Sequence, residues 1–167
     1  MDGASYPMVI IISATSIVGN VADKGAVIYT FTHGGEVVFN SSEVTLNTAI
    51  TSGVILASHI DLWIVNSVFT DNAGNQEIMY IIDSTCTFFN RTEIVNNLGS
   101  LVLYYSNATF QDETVIENST SIQIDDANFQ GGALTAVLIN IIFKGTNTLM
   151  DNNASIQVVE QCMQLTV

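Results

Sequence analysis

An asparagine returns along this chain at Asn20, Asn47, Asn72, Asn97, Asn118 and Asn152, with spacings of 27, 25, 25, 21 and 34 residues. From the second onward, each follows an aromatic by eight or nine residues: Phe39, Trp63, Phe88, Phe110 and Phe143. A fixed period with fixed anchors marks a repeat architecture, in which each unit buries its apolar side only against its neighbours. Between the anchors lie short alternating runs such as Ile60-Asp-Leu62, Cys86-Thr-Phe88 and Ala108-Thr-Phe110. Alternation of this kind belongs to half-buried strands. Apolar β-rich runs follow each asparagine, as in Ala26 to Tyr29, Ile78 to Ile81 and Leu101 to Tyr105. No stretch of helical length carries an i, i+3, i+4, i+7 stripe with caps. Leucine-rich repeats share the period but need a regular LxxLxL run, which is missing here.

About three strands per period is one rung of a β-solenoid. The expected fold is therefore all-β: a single-stranded, right-handed parallel β-helix of about six rungs, pectin-lyase-like, as one domain over residues 1–167. The right hand follows from the crossover rule for parallel strands. Stacked rungs bring equivalent residues about 4.8 Å apart. An asparagine column then forms a ladder, since each amide both donates and accepts. Asparagine also tolerates the left-handed backbone of a corner. The aromatic column is expected to fill the interior beside it. The last interval exceeds its neighbours by about nine residues. A rung has a fixed perimeter, so the surplus is expected to leave the solenoid as a loop at 119–130.

Composition narrows the partners. Of 167 residues, 48% are hydrophobic and 11% charged, and the 16 acidic residues against 3 Lys and Arg give a net charge of −13. Phosphate recognition needs clustered cations, so nucleic acid is excluded as a partner. Anionic membrane surfaces are excluded on the same ground. No run reaches the roughly 18 apolar residues of a membrane helix, so direct insertion is not expected. The two cysteines, Cys86 and Cys162, make neither a disulfide framework nor a zinc motif. The C-terminal run ends in what reads as strand, which points to a fragment of a longer repeat protein.

Three motifs carry a family resemblance. Phe69-Thr-Asp-Asn72 fits FxxN, Gly131-Gly-Ala-Leu134 fits GGA[ILV], and Asn20-Val-Ala-Asp-Lys-Gly-Ala-Val-Ile-Tyr29 is similar to the NxAxxGGAIY join between them. Together they resemble the passenger repeats of the chlamydial polymorphic outer-membrane proteins. They are also similar to repeats in large right-handed β-helix proteins of animals. The resemblance implies an extracellular or cell-surface, adhesin-like β-helix without enzymatic activity, binding a protein or glycan partner. Most units here lack GGA, and no outer-membrane barrel is present. Five N-x-[ST] sequons fit the same setting, with Asn40, Asn90, Asn107 and Asn153 as candidate glycosylation sites and Asn118 inside the expected ladder.

The competing class is a polysaccharide-active enzyme or a lectin on the same fold. Glycoside hydrolysis needs two carboxylates at a set separation. The adjacent pair Asp125-Asp126 lies in the elongated unit. Polygalacturonases, which share this fold type, pair such aspartates with Gly-His-Gly and Arg-x-Lys. Here His33-Gly34-Gly35 lacks the leading glycine, and Lys24, Arg91 and Lys144 stand apart. A polyanionic substrate would also be repelled. No organic cofactor is expected. Calcium is the one ion with candidate oxygen ligands, at Asp125, Asp126 and Asn128, with Asp71, Asn72 and Asn75 as a second group. A solvated acidic edge is the favoured reading of both groups.

Overall fold

The computed structural model describes residues 7–31, 34–119, 134–137, 140–150, 157–159 and 163–165. The chain is a parallel β-solenoid, with no helix among the described residues, and about four turns run continuously, against the six rungs expected. The strands beyond Leu134 extend the same sheets. Three parallel sheets form its sides. Face 1 contains Met8–Ser13, Gly35–Asn40, Asp61–Val65, Thr85–Phe89, Asn107–Gln111, Ile141–Lys144 and Met163–Leu165. Face 2 stacks the three-residue strands Ser16–Val18, Glu43–Thr45, Val68–Thr70, Glu93–Val95, Val115–Glu117 and Thr148–Met150. Face 3 is built on Val21–Ala22, Ile28–Phe31, Thr48–Ala49, Ile55–Ser58, Ala73–Ile82, Leu98–Tyr104, Leu134–Val137 and Gln157–Val159.

The period-2 alternation decides what each face buries. On face 1 the inward columns are Val37, Leu62, Cys86, Ala108, Ile141 and, beside them, Phe39, Ile64, Phe88, Phe110, Phe143. Phe110 stacks on Phe88 at 4.8 Å and on Phe143 at 5.1 Å, with rings nearly parallel. Face 2 sends in Val44, Phe69, Ile94 and Ile116. Phe39 and Phe69 meet edge to face across the interior at 5.2 Å. Aromatic pairs of these geometries contribute about 0.5–1.5 kcal/mol each beyond their burial.

Trp63 is not in this column. Asp61 and Trp63 have the same parity, so an inward Trp63 would drag the carboxylate inside. The register instead aligns Ile64 with Phe39 and Phe88. Trp63 faces outward, 37% exposed, edge to face with Phe89 at 6.5 Å.

Most corners follow one plan. A residue in the left-handed region turns the chain, and a polar side chain after it is buried, as at Ser42, Asn47, Ser67, Asn72, Ser84, Asn97 and Ser106. Between faces 2 and 3 the turning residues are Gly19, Leu46, Asp71, Asn96 and Asn118. The ladder proper is Asn20, Asn47, Asn72 and Asn97. In each step the backbone N–H and Nδ2 of one asparagine donate to Oδ1 of the next, at 2.9–3.1 Å. Each Nδ2 from Asn47 onward also donates to a carbonyl one rung back: Ile17, Val44 and Phe69.

Asn118 is displaced by one. Val95 aligns with Glu117, so the residue level with Asn97 is Ser119, which is buried, while Asn118 is the exposed turning residue. Asparagine suits both posts, as Asn96-Asn97 shows, so a lone asparagine does not reveal which post it fills. Asn152 lies outside the described residues.

The other corners use hydroxyls. Thr15, Ser42, Ser67, Thr92 and Thr114 follow each other between faces 1 and 2, with Thr15 N–H donating to Ser42 Oγ and Ser42 N–H to Ser67 Oγ. Between faces 3 and 1, Ile60 N–H donates to Ser84 Oγ and Ser84 N–H to Ser106 Oγ. Buried polar atoms left unpaired are costly, so these ladders supply what a turn inside a dry core demands.

Candidate functional site

A rigid frame of this kind can act only through what it displays outside. Face 3 displays aromatics. Its register sets Tyr29, Leu56, Tyr80 and Val102 in one outward column and Phe31, Ser58, Ile82 and Tyr104 in the next. Tyr29 and Phe31 are 58% and 55% exposed and lie edge to face at 5.4 Å. Leu56 and Val102 stand in the outward column yet are nearly buried.

At the corner with face 1, Gly34, His59, Asp83 and Tyr105 take the left-handed turning post on successive rungs. Tyr105 packs perpendicular to Tyr104 at 4.3 Å. His59 Nε2 lies 3.8 Å from Asp83 Oδ2, and its Nδ1 is 2.6 Å from Ser58 Oγ. Serine, histidine and aspartate in this order invite comparison with a nucleophilic triad. Ser58 is 2% exposed, however, so its Oγ cannot meet a carbonyl carbon. The contact fixes the imidazole at the corner.

The electrostatics of the patch are negative. Burial pushes the Glu77 carboxyl up, partly offset by the hydrogen bond from Ser52 Oγ at 3.2 Å. Tyr80 is pushed up by burial and then by the charges of Glu77 and Tyr104. Tyr105 is raised chiefly by its hydrogen bond with Tyr104, with Asp83 the smallest contribution. Glu77, Tyr80, Tyr104, Tyr105, Asp83 and His59 thus form a connected line that runs across the aromatic face to its corner with face 1.

The corner between faces 1 and 2 has two open grooves. One of about 490 Å³ is lined by residues including Ser41, Glu43 and Asn66. A polar one of about 560 Å³ is lined by Asn66, Asn90, Arg91, Asp112, Glu113, Gly145 and Thr146. Arg91 Nε donates to Glu113 Oε2 at 2.9 Å, both side chains well exposed, a pair worth about 0–1 kcal/mol. Ala14 and Val68 also line the first, and neither groove has an aromatic lining residue.

Asn40, Asn90 and Asn107 are exposed, as is Asn118, which the ladder assignment had placed inside. Asn153 and the calcium candidates Asp125, Asp126 and Asn128 lie outside the described residues, as does the surplus segment apart from Ser119. In the second calcium group, Asn72 Oδ1 already accepts two hydrogen bonds from Asn47 and is buried, so it is no ligand. Among the described residues no cluster of three or more His, Cys, Asp or Glu is placed to hold a metal. Sequence reasoning missed the face 3 patch. The signal was there in the tyrosines at 29, 80, 104 and 105, but only the rung register puts them on one surface. Comparison with protein families, curated proteins and solved structures finds no match to this chain.

Proposed function

We propose that this chain is a non-catalytic, adhesin-like β-helix scaffold, extracellular or at the cell surface, that binds a protein or glycan partner along face 3. The observation that carries the reading is the aromatic and apolar outer face held on a ladder-locked frame. A soluble chain rarely leaves such a surface to water without a use for it. Pre-organisation supports the same reading. Tyr80 and Tyr104 stand on strands paired on both sides, and Tyr29 and Phe31 on a strand paired with Ile55–Ser58, so little side-chain or loop entropy is lost on docking. The exposed sequon asparagines are compatible with a secreted glycoprotein.

The test is adhesion. Beads coated with the chain are allowed to settle on cultured cell layers, and the bound fraction is compared with that for Tyr29→Ser/Phe31→Ser/Tyr104→Ser. The expected result is retention by the wild type and several-fold loss by the variant, with thermal unfolding of both showing an intact fold. Equal retention by both would sink the assignment to face 3. No retention of the wild type on any layer would sink the adhesive function.

A further inference from the structure

The partner of face 3 has a chemistry that the face itself specifies. The outward columns present exposed Tyr29 and Phe31 with half-buried Tyr80, Ile82 and Tyr104, so a partner must bring apolar groups. Carboxylates flank the rings along the strand Ala73–Ile82: Glu77 precedes Tyr80, and Asp83 stands at the corner beside Tyr105 and His59. None of the chain's three cations, Lys24, Arg91 and Lys144, lies on the strands of this face. Arg91 is already paired with Glu113 at the far corner. Aromatic faces carry negative quadrupoles and attract guanidinium and ammonium groups, more strongly where water is partly excluded. Tyr80 sits in such a place, half-buried and facing the charge of Glu77.

We infer that face 3 binds a segment of a partner protein that presents arginine or lysine side chains between apolar ones. The inference rests on the reading above and names the partner class for that surface. Charge complementarity selects this occupant. A net charge of −13 repels anionic glycans and phosphorylated or acidic peptides. A neutral glycan could stack on the rings but would leave the concentration of negative charge unused. Arginine uses both, since its plane stacks on a ring while its N–H groups reach a carboxylate. A cationic side chain laid on Tyr104 and Tyr105 would point its donors at Asp83, and one laid on Tyr80 would point them at Glu77. Apolar side chains between them would cover Tyr29, Phe31 and Ile82.

Isothermal titration calorimetry of the whole chain tests this with three probes. They are a synthetic peptide of alternating arginine and leucine, the same peptide with neutral citrulline for arginine, and a neutral β-linked hexasaccharide. The expected result is binding of the arginine peptide that weakens steeply with added salt, with roughly tenfold or greater loss for the citrulline peptide. Asp83→Asn and Tyr29→Ser should each weaken it by about two- to fivefold. Both positions are exposed, so the fold survives, and a melting curve verifies that. Glu43→Gln/Glu93→Gln on face 2 should leave the affinity unchanged. The inference is overturned if arginine and citrulline peptides bind alike, if the arginine peptide does not bind, or if the face 2 variant loses as much as Asp83→Asn. Binding of the hexasaccharide through Tyr29 in place of the peptide would also overturn it. In that last case the adhesive reading of face 3 stands and only the partner class falls. Failure of the wild type to adhere in the bead experiment would remove the reading itself.

Discussion

Asn72 has more to do than any surface asparagine. Its Oδ1 accepts from the Asn47 N–H and Nδ2, its own Nδ2 donates to Val44 C=O and Asn97 Oδ1, and it is 2% exposed. Truncation would take a partner from the buried Asn47 N–H and the buried Val44 C=O, both on the preceding rung, where water cannot replace it. Asn72→Ala is expected to cost about 2–4 kcal/mol, from two unsatisfied groups at about 1–3 each. Asn20 heads the ladder, is exposed and accepts from no described rung above it. Asn20→Ala is expected to cost about 1 kcal/mol or less. Urea unfolding of the two variants measures the difference, and equal losses would mean that burial does not set the worth of a rung of this ladder. The asparagine column was legible from spacing alone because a buried amide at a corner has few substitutes. The hydroxyl ladders at the other corners were not. Ser42, Ser67, Thr92 and Thr114 are individually ordinary residues, common in any loop, and only register makes them a column.

At the scale of the strand, the alternation that identified the elements also fixed their orientation where it was applied residue by residue. Ile60, Leu62 and Ile64 alternate with Asp61, so the carboxylate alone assigns Trp63 to the outside. Weighting the aromatic above the charge is what misplaced it. The strand Ala73–Ile82 breaks the pattern, for its register to Leu98–Tyr104 shifts twice, around Glu77. Gly74 makes this break possible, because a Cβ there would run into the Glu77 carbonyl oxygen. The irregular strand holds Glu77 against Ser52 in a partly dry setting, which raises its carboxyl above the ordinary 4.5. A raised carboxyl means the folded chain keeps a proton that the unfolded chain has lost. Between 4.5 and the raised value, this residue's contribution therefore falls as pH rises, and it is constant outside that window. Glu77→Gln removes the contribution. The difference in unfolding free energy between wild type and variant, followed by urea titration across acid to neutral pH, is expected to move against the wild type as pH rises. A flat difference, or one of opposite sign, would show that Ser52 compensates the burial in full.

For the whole molecule, stacking in register has an electrostatic consequence. A solenoid repeats each outward position about every 4.8 Å, so like charges fall side by side as easily as matching asparagines do. Glu36 and Asp61 are such a pair on face 1, directly aligned on adjacent strands. Like charges so placed cost about 0.2–1 kcal/mol. The Arg91–Glu113 pair offsets one carboxylate at the opposite end of the charge balance, but a net charge of −13 leaves most of the repulsion standing. Folding gathers these charges onto a narrow stack, and unfolding lets them separate. Screening should therefore favour the folded state, with sodium chloride from low to near-physiological ionic strength raising the midpoint of thermal unfolding by about 2–5 °C. Asp61→Asn should raise the midpoint at low salt and shrink the response to salt, because one of the screened contacts is already gone. Keeping to moderate sodium chloride separates screening from the general strengthening of apolar burial by excluded salts. A midpoint that falls with salt would show instead that attractive pairs such as Arg91–Glu113 outweigh the aligned carboxylates.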